Sequence, residues 1–87
     1  MNESSAIQKI QKGDIKAFEQ LFRKYYEKLC QWAHQYLHDR DSSEEVVQEL
    51  FYNIWLNRES IEFRISVKSY LYKSVSNNCK MVLRQHK

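Results

Sequence analysis

Cys30, His34 and His38 are spaced by four residues, so on a helix they form one stripe. Histidines at that spacing are a zinc-binding pattern. Nothing else in the sequence completes a ligand set, and the stripe borders an apolar face, so no metal site is expected. There is no nucleophile motif and no pair of carboxylates in apolar surroundings. With one glycine, Gly13, in 87 residues, a backbone cradle for phosphate is implausible. Neither catalysis nor a bound cofactor is expected. Two polar stripes remain. Glu45, Gln48 and Glu49 share a face with Tyr52 and Leu56, behind the apolar pairs Val46–Val47, Leu50–Phe51 and Ile54–Trp55. Carboxylates and an amide beside an exposed aromatic suit a basic, partly apolar helix of a partner protein. The second stripe, Tyr70, Lys73, Asn77, Lys80 and Arg84, steps by three and four. Tyrosine stacks on bases, an amide bonds base edges, and Lys and Arg meet phosphate. Each stripe could equally be a solvated helix face.

Four helices are needed to position these residues. A short first helix, capped by Ser4 or Ser5, presents Ala6, Ile7 and Ile10. Gly13 suits a helix stop and Asp14 caps the next helix. That helix runs to about Leu37, with Phe18, Leu21, Phe22, Tyr25, Leu29, Trp32, Ala33 and Tyr36 in a 3.6-residue period. HDRDSS is a break. Ser42 and Glu45 have capping-box spacing for the third helix, with Asp41 and Glu44 favouring its positive end. The third helix ends near Asn57 or Arg58, and Phe51 and Trp55 belong to its core face. In RESIEFRISV, Ile61, Phe63, Ile65 and Val67 alternate with polar residues. One isolated strand has nothing to pair with, so an ordered loop is expected. Ser66 caps a fourth helix to about Gln85, with Leu71, Val75, Cys79 and Val82 inward and Tyr72 and Leu83 at the edge.

Composition agrees with this all-α reading. There is no proline, aromatics are 14% and hydrophobics 43%. That suffices for one small core, a compact bundle of three main helices plus a short N-terminal one. No apolar run approaches the roughly 20 residues of a bilayer span. No export signal is evident, and the two cysteines lack metal-finger or oxidoreductase spacing, so a cytoplasmic chain is expected. The net charge of +3 is unevenly distributed. After Glu62 there are six basic residues and no acidic one; the remainder has eight basic and eleven acidic. An acidic part and a basic part suggest two partners, one a basic protein surface and one phosphate-bearing. From the residues alone, a helical protein–protein adaptor and a reader of duplex DNA also remain open.

DSSEEVVQELFYNIW resembles the core-binding helix of bacterial sigma factors of the sigma-70 family, and is most similar to the extracytoplasmic-function (ECF) group. SYLYKSVSNNCKMVLR resembles the promoter-reading helix of that group, and AFEQLFRKYYEKLCQWA the long helix ahead of both. The likeness spans residues 5 to 86 and implies the fold of sigma region 2. It implies that Glu45, Gln48 and Glu49 dock on arginine-bearing clamp helices of the largest subunit of core RNA polymerase, with Tyr52 and Leu56 as the apolar patch. It implies that residues 59–67 hold a base flipped from the promoter −10 element, with Ile61 and Phe63 as apolar walls and Arg64 or Lys68 on phosphate. Tyr70, Lys73 and Asn77 would face the non-template strand, and Lys80 and Arg84 would add sequence-independent affinity. The resemblance further implies promoter opening without catalysis; many members of the ECF group are held inactive by an anti-sigma protein, and for this chain that partner is left open.

The chain departs from the family pattern at three places. Many relatives have Trp where this chain has Tyr70 and Arg where it has Ser76, which removes one phosphate contact. Many have a glycine-containing loop in place of EFRI, which leaves the flipped base unassigned. Nothing corresponds to region 4, the domain that reads the −35 element, so residues 1–87 are expected to be a region 2 domain or fragment.

Overall fold

The structure is a computed structural model that describes residues 3–62 and 65–85. It contains four helices: α1 (Glu3–Gln11), α2 (Ile15–Leu37), α3 (Arg40–Leu56) and α4 (Val67–Gln85). Among the described residues there is no strand, and the segment between α3 and α4 is a loop. No helix among them is long and apolar enough to cross a membrane.

The 23-residue α2 is the spine against which α1, α3 and α4 all pack, while α3 also packs on α4. Its buried residues Ala17, Leu21, Tyr25, Leu29 and Ala33 recur every fourth position. Those of α4, Val67, Leu71, Val75 and Cys79, do the same. Two straight rows at this spacing meet along their length. Small side chains let the helices approach where Cys79 Sγ lies 3.9 Å from the Ala33 carbonyl oxygen. α3 fills the other side with Val46, Val47, Leu50, Phe51 and Ile54, and α1 adds Ile7 and Ile10. Phe18 packs on Phe51 and Trp55, so the apolar pairs of α3 face inward as their periodicity requires.

Local signals account for most helix ends. Gly13 sits at φ +92°, where a Cβ would be strained, and ends α1. The Asp14 carboxylate accepts from the amides of Lys16 and Ala17, as an N-cap should. Ser66 Oγ accepts from the Ser69 amide at the start of α4. Two ends differ from the sequence expectation. α3 begins at Arg40, capped by Asp39, whose carboxylate accepts from the Ser42 amide at 2.8 Å. Ser42 is thus a recipient of the cap, and the Ser42–Glu45 capping box does not form. The chain can turn earlier because His38 adopts the left-handed conformation, φ 54°, and ends α2 by donating its amide to the His34 carbonyl. Ser43 is buried there, and its hydroxyl donates to the Asp39 carbonyl at 2.6 Å. α1 begins at Glu3, so Ser4 and Ser5 lie inside the helix and neither caps it. The Glu3 carboxylate accepts from Lys24 Nζ and the Tyr25 hydroxyl of α2, a tertiary anchor that extends α1 beyond its local signal.

Candidate functional site

On α3, Glu45, Gln48, Glu49, Tyr52 and Leu56 are all exposed, Tyr52 by 62% and Leu56 by 56%. They occupy the back of the helix whose front is the core. Among the described residues neither Glu45 nor Glu49 has an ion-pair partner. Gln48 differs from the carboxylates: its Nε2 donates to the Tyr26 hydroxyl at 3.0 Å. It leans toward α2, at the edge of the acidic face. On the opposite edge a shallow groove runs between α3 and α4, lined by Val46, Glu49, Asn53, Asn78, Met81 and Val82. Met81 is 55% exposed, and Leu83, expected at the edge of the core, is also exposed. The acidic face therefore borders two apolar side chains of α4, Met81 and Val82.

On α4, Lys73, Asn77, Lys80 and Arg84 are exposed along one stripe. Tyr70 is half-buried and packs on the core. Lys68 is exposed but stands off this stripe, on the flank facing α1, where its charge is felt by Glu3. Phe63 and Arg64, expected at the base-holding loop, lie outside the described residues. Ile61 of the same loop is half-buried against the core, and its carbonyl accepts from Gln11 Nε2 at 2.9 Å. Between α1 and the loop lies an open cleft of about 630 Å³, with Ile7, Gln11, Ile61, Ile65 and Val67 on its walls.

Three structural roles escaped the sequence pattern. Ser76 Oγ accepts from Trp32 Nε1 at 2.8 Å and from the Tyr36 hydroxyl at 3.1 Å. It is half-buried at the α2–α4 seam, so an arginine there would displace two donors as well as add a charge. The Arg58 guanidinium lies 4.3 Å above the Trp55 ring and donates to the Trp55 carbonyl, closing the end of α3. Gln11 reaches the loop across 50 residues of sequence. Ser76 and Gln11 are invisible to periodicity because the partner of each lies on another helix or in the loop. Arg58 did carry a signal: a cation three residues after Trp55 at a helix end.

The Cys30–His34–His38 stripe does not converge. Cys30 is half-buried beside Tyr26, and burial raises its thiol pKa above the ordinary range. His34 and His38 meet edge to face, 6.3 Å between ring centres. Burial also raises the Cys79 thiol. Burial thus favours the protonated form of both thiols, the form less suited to ligation or attack.

Comparison with known proteins gives this geometry a family. The Sigma-70 region 2 profile matches residues 21–87. The chain is 27% identical over 71 residues to the ECF RNA polymerase sigma factor SigW of Bacillus subtilis (strain 168), covering 82% of this chain and 38% of that protein. It thus spans well under half the length of that curated relative. The fold is similar to the NMR structure of an engineered region 2 of sigmaE in complex with GTAAAA, with a TM-score of 0.83 and 26% identity. That likeness covers 98% of this chain and 88% of the other. The chain belongs to the Sigma-70 region 2 family.

Proposed function

We propose that this domain binds core RNA polymerase through α3 and the non-template strand of a promoter −10 element through α4 and the preceding loop. The observation that carries the DNA half is the likeness, over nearly the whole fold, to an engineered region 2 of sigmaE in complex with GTAAAA. The exposed stripe Lys73, Asn77, Lys80 and Arg84 supplies the chemistry for it: three cations for phosphate and an amide for a base edge. Binding single-stranded DNA more tightly than duplex shifts the melting equilibrium toward the open form, and the domain catalyses nothing. On the polymerase side, Glu45 and Glu49 supply unpaired carboxylates for the clamp helices of the largest subunit, and Tyr52 and Leu56 the apolar contact. Phe63 and Arg64 remain assigned to the base-holding loop by family likeness alone. An anti-sigma protein covering these faces is the third partner that this reading expects, and the bacterial cytoplasm is its setting.

The test uses two ligands. Co-purification with bacterial core polymerase compares the wild type with Glu45→Lys/Glu49→Lys, which leaves the Gln48–Tyr26 bond intact. Loss of binding by a variant with wild-type circular dichroism supports the dock; equal recovery of both proteins removes it. Fluorescence anisotropy with six-nucleotide single strands, GTAAAA beside a randomised pool, addresses DNA. Binding no tighter to single strands than to duplex would sink the melting role.

A further inference from the structure

α1 lies outside the residues matched by the family profile, yet it is pinned at both ends. At its start, Glu3 accepts from Lys24 Nζ at 2.9 Å and from the hydroxyl of Tyr25, a residue only 5% exposed. At its last position, Gln11 donates to the Ile61 carbonyl at 2.9 Å. Ile7 and Ile10 hold the helix to the core between those points. α1 is therefore a splint between the α2 spine and the loop that precedes α4. From the α3 side, the loop begins in a turn in which the amides of Ser60 and Ile61 both donate to the Asn57 carbonyl. Both backbone groups of Ile61 are thus held, its amide by the end of α3 and its carbonyl by α1.

A loop that must receive an extruded base binds weakly if it has first to be ordered, because the competent fraction divides the affinity. We infer that Gln11 is a positioning residue for DNA reading: its amide fixes the Ile61 peptide and so presets the loop, while touching no DNA itself. This rests on the DNA reading above. Loss of one side-chain-to-backbone hydrogen bond corresponds to roughly a three- to tenfold change in loop occupancy.

The experiment compares the wild type with Gln11→Leu, which keeps the bulk and removes the donor, and Gln11→Lys, which restores a donor. Affinity is measured for the six-nucleotide single strand that the wild type selects from a randomised pool, and for the pool itself. Amide hydrogen exchange at residues 60–62 is followed in the free proteins. Gln11→Leu should lower the ratio of selected-strand to pool affinity about three- to tenfold. It should also speed loop exchange while leaving exchange in α3 and α4 unchanged. Gln11→Lys should restore both. A merely structural role would lower the two affinities together and leave their ratio alone. A wild type that selects a strand while Gln11→Leu keeps its ratio and its loop protection overturns this inference only. A wild type that selects no strand removes the DNA reading and this inference together.

Discussion

Tyr25 joins a core position to an ionic contact. Its ring is buried in the α2 row, and its hydroxyl donates to Glu3. Burial, and then the neighbouring carboxylate, push its pKa up to about 12. Glu3 moves the other way, lowered chiefly by the Tyr25 hydrogen bond and then by Lys24. The signs define two pH windows. Stability linked to Tyr25 is fully present below the ordinary tyrosine value and is lost as pH rises through about 12. Stability linked to Glu3 is present above the ordinary carboxylate range and is lost as pH falls through its depressed value. Burial raises Tyr26 as well, so ultraviolet titration should show a component near 12 that is absent in Tyr25→Phe, while the Tyr26 component stays. An unchanged titration curve in the variant would refute that assignment. Ser76 offers a second test at this scale. Ser76→Ala leaves the donors of Trp32 and Tyr36 unmatched and should cost about 1–3 kcal/mol in urea unfolding. From the sequence, Ser76 read only as a missing phosphate contact, because a hydrogen bond between helices leaves no trace in periodicity.

At the scale of elements, boundaries set by one residue's own chemistry were legible and those set by tertiary anchors were not. Gly13, Asp14 and Ser66 each act where their side chains or lack of one dictate. The start of α3 was misplaced because two cap signals lie three residues apart, Asp39 and Ser42, and only the backbone of His38 decides between them. Asp39→Ala should destabilise the domain by about 1 kcal/mol, whereas Ser42→Ala should be close to neutral. The reverse order in thermal melts would restore the capping box. Gly13→Ala meets no neighbouring atom, so its cost is backbone strain alone, about 1 kcal/mol. The α3 surface residues were found by period, since a tyrosine and a leucine on a polar stripe are visible in one helix. Met81 could have been found in the same way, as an apolar residue between Asn77 and Arg84. Its role as a wall of the α3–α4 groove could not, because that depends on which helix lies alongside.

For the whole molecule, the split of charge along the sequence becomes a split between helices. The acidic face belongs to α3 and the basic stripe to α4, one helix for each of the two partners proposed above. Electrostatics then governs the DNA half. If Lys73, Lys80 and Arg84 of the stripe each neutralise one phosphate, log affinity for a single strand should fall with log salt at a slope of about −2, taking about −0.7 per contact. Lys80→Ala should flatten that slope by about 0.7 and weaken all sequences alike. An unchanged slope would place Lys80 off the strand's path. The flipped base stays unassigned, since that depends on the loop around residues 63 and 64.

Chain slack is unequally shared. His38 and Asp39 are the whole connection between α2 and α3, whereas residues 57–66 separate α3 from α4. The first joint is a weld; the second is longer and is tied down at Ile61. A pull on α3 from a docked partner drags α2, and with it the floor of the core, as one body. Extra residues inserted at the weld would have to break a cap or a carbonyl bond. The same residues added to the longer joint would cost little stability, but would loosen the segment to which the proposed reading assigns the extruded base.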